Sequence, residues 1–116
     1  MSIDQLLRWQ WEGYPRYHQS RANLLLHILM VPLFLIANVV LVVALVERSW
    51  WSALAAVAVM LLSVALQGRG HRRELVPPEP FTGPLNAVSR IFLEQWVTFP
   101  RFVLSRGWSR ALHSAP

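Results

Sequence analysis

The chain of 116 residues is apolar for its length: 54% of its residues are hydrophobic and only 15% are charged, against about 25% charged in an average soluble domain. This length has room for one domain, which excludes a two-domain enzyme with its own nucleotide fold. The chain has no cysteine, which excludes disulfides, thiolate zinc sites and iron–sulfur clusters. Eleven arginines and six acidic residues give a net charge of +5, a balance that suits nucleic acid or an anionic membrane surface.

Two long apolar runs follow a short N-terminal helix predicted around Ile3–Trp11. Ile28–Val46 contains a single polar side chain, Asn38, and Ser49–Leu66 contains no charged residue. A helix with the length of the first run is about 28 Å long, close to the ~30 Å hydrocarbon core of a bilayer. Trp50 and Trp51, beside the short charged connection between the runs, suit the headgroup region.

These runs predict an all-α fold with one integral membrane domain over residues 1–116. Its centre is a helical hairpin with transmembrane helices at about 24–46 and 50–67. The alternative is a soluble bundle with two buried helices, but so short a chain has little other material to cover them. One arginine lies between the runs, whereas three lie in each flanking segment. The excess of arginine in the flanks predicts that both termini are cytoplasmic.

The C-terminal third predicts no further membrane span. Val76–Gly83 contains three prolines and is expected to be an extended linker. Over about residues 85–106, apolar side chains recur in steps of three and four, which predicts an amphipathic interfacial helix bent at Pro100. The residues from Ser109 onwards are predicted to be a tail. Because the arginines follow this membrane topology rather than forming one patch, we expect no nucleic-acid partner.

Two histidines are placed symmetrically about the predicted turn. His27 precedes Ser49 by the same number of positions as His71 follows it. Residues equidistant from the turn of an antiparallel helix pair lie at the same height, so both imidazoles are expected level with each other at the cytoplasmic side. A polar group just inside an apolar run is costly and usually functional. His18 reaches the same site only if the chain breaks between it and His27, which Pro15 permits.

Helical spacing places further polar side chains beside these histidines. Asn23 lies four residues before His27, so the two share a helix face. Gln67 and Glu74 lie four residues before and three residues after His71. A simpler interpretation is also open: Asn23 and Gln67 tie the helices together by hydrogen bonds, and Glu74 pairs with an arginine.

Two or three neutral imidazoles with a carboxylate can bind iron(II) and leave positions open for oxygen and substrate. Zinc accepts much the same ligands, so both metals stay open.

Arg72 and Arg73, with Arg69, could bind a substrate carboxylate through their guanidinium groups or serve as positively charged membrane anchors. Glu94 is expected mainly as a partner of Arg90 four residues earlier, the alternative being that it faces the site.

The same residues carry a resemblance to the Mpo-like membrane proteins, a family that includes a fungal 2-hydroxy fatty acid dioxygenase. The opening motif of that family, Y-H-x4-N-x3-H-x4-P, resembles Tyr17, His18, Asn23, His27 and Pro32. The second motif, Q-x-x-G-H followed by a glutamate and a proline, resembles Gln67, Gly70, His71 and Glu74. The resemblance covers about residues 14–78.

The resemblance implies an iron(II)-dependent oxygenase that shortens 2-hydroxy fatty acids by one carbon, as in α-oxidation. It implies His18, His27 and His71 as metal ligands, with Glu74 as a fourth. We expect His27 and His71 to be essential for catalysis, Arg72, Arg73, Asn23 and Gln67 to contact the substrate, and a membrane lipid or acyl chain to be that substrate. Two alternatives remain: a non-enzymatic membrane module whose histidines stabilise a homo-oligomer, and a metal-dependent hydrolase of lipid head groups.

Overall fold

The computed structural model describes all 116 residues and contains helices without strands. In chain order the elements are α1 (Ile3–Tyr17), α2 (Arg21–Val46), α3 (Trp50–His71), α4 (Pro84–Leu93), a π-helical turn (Glu94–Thr98), α5 (Phe99–Leu104) and α6 (Gly107–Ser114). The predicted all-α fold is confirmed. The proline-rich segment between α3 and α4 has no regular structure, as its composition predicts.

Helices α2 and α3 form a hairpin with the most extensive contact between any two elements. Both are long and apolar enough to cross a membrane, and only 22% of the most apolar stretch of each is buried inside the protein. Large apolar side chains such as Leu29, Ile36 and Leu61 are exposed on their outer faces. Core helices of a soluble bundle would be mostly buried, so this exposure fits a pair of candidate membrane spans.

Helices α2 and α3 pack closely near the end of the hairpin that lies away from its turn. A Cβ atom on Gly70 would collide with the side-chain oxygen of Asn23 and would lie 3.2 Å from Leu26. Asn23 is completely buried there. The absence of a side chain at Gly70 therefore allows the polar end of α2 to pack directly on α3.

Helix α1 extends beyond the expected segment to Tyr17, in spite of Pro15. It begins with a capping box between Ser2 and Gln5. Its last residue is followed by His18, which has non-helical backbone angles, and α2 starts at Arg21 with Ser20 as its N-cap. The chain therefore breaks just after α1, and this break changes the direction of His18 relative to the face of α2.

The segment expected to be one amphipathic helix contains a π-helical turn just before Pro100. In that turn the N–H of Phe99 donates to the carbonyl of Glu94, five residues earlier. Proline has no N–H and clashes with the carbonyl four residues before it in a regular α-helix. The π-helical turn accommodates one residue more than an α-helical turn. It therefore shifts the helix register after Glu94 relative to a continuous α-helix.

The predicted tail from Ser109 is wrong: these residues belong to α6. The indole N–H of Trp108 donates to the carbonyl of Leu24 at 2.9 Å, which fastens α6 to α2. The chain turns into α6 at Arg106, whose φ is 66°. A buried apolar cluster joins α1, α2 and α5 and consists of Tyr14, Leu24, Val31, Phe99 and Phe102.

Candidate metal centre

Three imidazoles and one carboxylate converge where α2 begins and α3 ends. One donor atom from each of His18, His27, His71 and Glu94 lies within 4.8 Å of the other three. The ring centroids of the three histidines are separated by 4.9, 4.9 and 5.0 Å, and each pair of rings meets edge-on. The four side chains thus surround one small volume of the size that a metal ion needs.

The hairpin and the chain break bring the histidines together. His27 lies in the second turn of α2 and His71 is the last residue of α3, so their equal distances from the hairpin turn place them side by side. His18 lies outside both helices, in the break that follows α1. Because the break removes the constraint of a straight helix, its ring reaches both of the others.

Backbone carbonyls fix the orientation of two of the rings. The Nδ1 atom of His18 lies 2.8 Å from the carbonyl of Tyr14, and that of His27 lies 3.0 Å from the carbonyl of Asn23. A carbonyl oxygen can only accept, so each Nδ1 carries a hydrogen and the Nε2 atom of each ring points towards the centre. Metal-binding histidines are typically held by a second hydrogen bond of this kind.

The inward-facing nitrogen atoms have no hydrogen-bond partner within the protein. Nε2 of His18, Nε2 of His27 and Nδ1 of His71 are all buried and unpaired. A buried polar atom without a partner costs about 1–3 kcal/mol, and such atoms are rare in folded proteins. Three of them around one volume, beside a carboxylate, fit a bound metal cation.

Glu94 completes the cluster from the π-helical turn. Its Oε2 atom lies 3.5 Å from Nε2 of His18 and 3.6 Å from Nε2 of His27, and it accepts a hydrogen bond from the hydroxyl of Tyr14 at 2.7 Å. Burial alone would raise the pKa of the Glu94 carboxyl, but the facing imidazoles outweigh burial and hold that pKa well below its usual range. A lowered pKa favours the carboxylate form, which is the form that binds a metal cation.

Tyr14 supports this carboxylate with both its hydroxyl and its ring. Burial, and then the charge of Glu94, raise the pKa of the Tyr14 hydroxyl well above its ordinary value, so the hydroxyl stays protonated and donates. The phenol ring stacks on the imidazole of His18 with 3.8 Å between centroids. One tyrosine thus positions two members of the cluster.

Glu74 lies outside the cluster, contrary to the ligand set implied by the family motif. Its carboxylate accepts from the backbone N–H of Gln19 at 2.8 Å, from that of Ser20 at 3.0 Å and from the side-chain amide of Asn23 at 2.8 Å. Helix α3 ends at His71, and the turn after it removes Glu74 from the face that His71 occupies. The structure brings Glu94 to the histidines instead.

Glu94 also departs from its expected pairing with Arg90. The two ion pairs in the structure both join Glu94 to a histidine, and neither involves Arg90. Opposite charges four positions apart are a common surface pattern, so the sequence contains no signal that separates that pattern from this buried arrangement. The π-helical turn that starts at Glu94 is the feature that a sequence pattern does not show.

Asn23 and Gln67 connect helices, as in the simpler interpretation of the sequence. Asn23 binds Glu74 through its amide, while Gln67 and Gln95 exchange two hydrogen bonds of 2.9 and 2.8 Å. Arg72 and Arg73 are exposed just beyond the end of α3 and contact no part of the cluster. The candidate metal centre therefore consists of the three histidines and Glu94, and these amide and guanidinium side chains are not part of it.

A cavity of about 320 Å³ adjoins the cluster, a volume at the lower end of the range for small-molecule sites. Gln67 and Gln95 also line it. Aromatic side chains from α1 and from the proline-rich segment form much of the remaining wall. Its principal boundary consists of Trp9, Tyr14, His18, His71, Phe81 and Glu94. The cavity reaches the side chains of His18, His71 and Glu94, while the inward-facing nitrogen atoms themselves are buried.

The fold and the site together define a helical hairpin protein with a candidate metal centre of three histidines and one glutamate. Residues 5–106 match the family model described as 2-hydroxy-palmitic acid dioxygenase Mpo1-like. This match covers most of the chain, and the protein belongs to that family, which confirms the resemblance seen in the motifs. Comparisons with curated proteins and with solved structures find no match.

Proposed function

We propose that the protein is an iron(II)-dependent membrane dioxygenase that shortens 2-hydroxy fatty acids by one carbon. The observation that supports this most directly is the cluster of His18, His27, His71 and Glu94, whose donor atoms face one another within 4.8 Å. The family description names 2-hydroxy-palmitic acid, from which the proposal takes its substrate class. Histidines with a carboxylate are the ligand set of many non-haem iron oxygenases.

The proposed reaction is balanced without another cofactor. A 2-hydroxy acid and one O₂ give the next shorter acid, one CO₂ and one water. The bond between C1 and C2 breaks, C1 leaves as CO₂ and C2 is oxidised to a carboxyl group. These changes release four electrons, which is the number that one O₂ accepts on full reduction. No flavin, nicotinamide or 2-oxoglutarate is needed.

Bound iron(II) would supply the capacity to bind and reduce oxygen next to the substrate. The protein side chains supply position and charge. The carbonyls of Tyr14 and Asn23 hold the imidazoles of His18 and His27 with their Nε2 atoms inward. Phe99, whose ring centroid is 5.8 Å from that of His27, helps to keep water from the rear of the cluster.

The membrane setting supports the same substrate class. The cluster lies at the end of the hairpin away from its turn, where a span leaves the bilayer and the carboxylate of a fatty acid resides. We propose that this end is cytoplasmic, since the flanking segments contain most of the arginines. The acyl chain would extend along the exposed apolar surface of α2 and α3.

Metal content and turnover of detergent-purified protein test the proposal. Elemental mass spectrometry is expected to find about one iron per chain, and an oxygen electrode is expected to record uptake with 2-hydroxyhexadecanoic acid, with pentadecanoic acid as the product. His27→Ala and His71→Ala are each expected to abolish iron binding and turnover. The matched control is His113→Ala, because His113 is exposed on α6 and bonds only a carbonyl of its own helix.

Three results would contradict the proposal in different ways. Retention of iron by His27→Ala or His71→Ala would show that the cluster is not the iron site. Turnover of a lipid head group without oxygen, with zinc bound, would indicate a hydrolase. Protein without any metal, in which both variants lose assembly rather than turnover, would indicate a structural membrane module.

A further inference from the structure

Arg90 has surroundings that an ordinary surface arginine does not have. It is half-buried on α4 and lines the cavity beside the metal cluster. Its guanidinium carbon lies 4.9 Å from the ring centroid of Trp9 and 4.5 Å from that of Phe81. Two aromatic faces therefore hold the guanidinium group and restrict its orientation.

The hydrogen bonds of Arg90 leave some of its N–H donors free. Nη1 donates to the carbonyl of Pro80 at 3.0 Å and to the side chain of Asn86 at 3.5 Å, and Nη2 donates to the carbonyl of Glu79 at 2.8 Å. A guanidinium has five N–H donors. The hydrogen on Nε and the second hydrogen on Nη2 are therefore without a partner, and a bidentate carboxylate pair needs two such donors.

No carboxylate lies within 4.0 Å of this guanidinium. Both ion pairs within 4.0 Å in the structure belong to Glu94 and the histidines. Partial burial lowers the pKa of Arg90 from its ordinary value, because the cation is less well solvated there than in water. The nearby charges of Glu94 and Glu79 oppose this lowering, but neither carboxylate forms a direct ion pair with the guanidinium. A half-buried positive charge with free donors at the wall of a cavity is suited to an anionic ligand.

The position of Arg90 relative to the metal cluster matches the head group of a 2-hydroxy acid. Arg90 and Glu94 are four residues apart at the end of α4, which places their Cβ atoms roughly 5–6 Å apart on one face. Both side chains line the same cavity. The carboxylate and the hydroxyl group of a 2-hydroxy acid are on adjacent carbons, so one molecule can contact Arg90 and the cluster together.

We propose that Arg90 binds the carboxylate of the substrate and thereby selects free 2-hydroxy acids over their esters. The identity of the substrate in this inference rests on the proposed function; the binding of a carboxylate by Arg90 does not require turnover. Arg90 takes the role that the sequence suggested for Arg72 and Arg73, which are exposed outside the cavity. The neutral head group of an ester cannot form the charged pair.

The test compares Arg90→Gln and Arg90→Lys with the matched control Arg101→Gln. Arg101 also stacks on a tryptophan, 3.9 Å from the ring centroid of Trp11, but it is exposed and lies outside the cavity. Equilibrium dialysis without oxygen measures binding of 2-hydroxyhexadecanoic acid and of its methyl ester. Steady-state oxygen uptake then gives KM and kcat for both compounds, and metal analysis gives the iron content.

Arg90→Gln is expected to weaken binding of the acid by roughly 10- to 100-fold, the range that follows from losing charged hydrogen bonds. Binding of the methyl ester and the iron content are expected to stay unchanged, so the preference for the acid is lost. Arg90→Lys keeps the positive charge but loses the planar guanidinium group. Its affinity for the acid is expected to lie between that of Arg90→Gln and that of the wild type. Arg101→Gln is expected to bind the acid and the ester as the wild type does and to contain the same amount of iron.

An unchanged ratio of acid to ester binding in Arg90→Gln, with normal iron content, would overturn the inference and leave the proposed function intact. Wild-type protein without iron or oxygen uptake would overturn the proposed function, while dialysis would still decide whether Arg90 binds the acid. If Arg90→Gln fails to fold, Arg90→Lys decides: an acid affinity equal to that of the wild type would overturn the assignment.

Discussion

Two half-buried glutamates serve different parts of this structure. Glu94 faces the imidazoles of His18 and His27, whereas Glu74 accepts backbone N–H groups at the start of α2. A carboxylate at a helix N-terminus stabilises the helix through hydrogen bonds and the helix dipole. The first glutamate therefore belongs to the metal cluster and the second to the fold.

Exchanging each glutamate for glutamine separates these roles. Glu94→Gln removes the anionic donor and is expected to weaken iron binding by more than the roughly 10- to 100-fold that loss of a ligand's hydrogen-bond partner costs. Glu74→Gln is expected to keep the iron and to lower the free energy of unfolding by about 1–3 kcal/mol, since a charged hydrogen-bond acceptor is lost. Chelator competition and thermal unfolding measure the two quantities. The opposite pattern, with iron lost in Glu74→Gln alone, would restore Glu74 as the ligand.

The histidines could be located from the sequence, whereas the sequence indicates Glu94 at the site only as the alternative to a pairing with Arg90. The equal distances of His27 and His71 from the turn depend only on regular helix geometry. The position of Glu94 beside the histidines depends on the packing of the π-helical turn against α1 and α2, which local spacing does not specify. Glu74, by contrast, has helical spacing to His71, but α3 ends before that spacing applies.

At the scale of elements, the contact between α2 and α3 depends on Gly70, whereas Gly68 on the same helix has open surroundings. A Cβ on Gly70 would collide with the side chain of Asn23, whereas a Cβ on Gly68 would have no neighbour within 4 Å. Asn23 also holds His27 through its backbone carbonyl. The packing of the hairpin and the orientation of the imidazole are therefore coupled at Gly70.

Alanine substitutions at the two glycines are expected to have opposite effects. Gly70→Ala is expected to lower the free energy of unfolding by about 1–3 kcal/mol through overpacking, and to reduce iron content because Asn23 must move. Gly68→Ala is the matched control and is expected to be neutral or to stabilise α3 by up to about 1 kcal/mol. Unfolding curves and metal analysis provide both readouts. Equal stability and iron content in the two variants would show that the close approach is unimportant.

The helices of the C-terminal third show where periodicity is informative and where it is not. The apolar steps of three and four predicted a helical segment up to about residue 106, and the structure has helices there. In α6, Trp108, Ala111 and Leu112 share one face at helical spacing and pack against the buried apolar cluster, and the indole of Trp108 donates to the carbonyl of Leu24. Such a contact between distant parts of the chain follows from the tertiary fold, which local sequence does not reveal.

At the scale of the whole molecule, the hairpin predicts that its turn and the metal cluster lie on opposite sides of the membrane. The chain has no cysteine, so single substitutions provide labelling sites without background. In sealed vesicles with the cytoplasmic face inward, an impermeant maleimide is expected to label Ser49→Cys and not Ser114→Cys. Detergent should expose both sites equally. Labelling of Ser114→Cys before detergent is added would contradict the predicted orientation of the C-terminus.

The four members of the cluster are widely separated along the chain, at positions 18, 27, 71 and 94. During synthesis, residue 94 leaves the ribosome only after both long apolar helices have been made. A growing chain consequently cannot present the full coordination sphere until the hairpin is complete. The order of these four residues along the chain delays assembly of the candidate metal centre until the surrounding protein is there to enclose it.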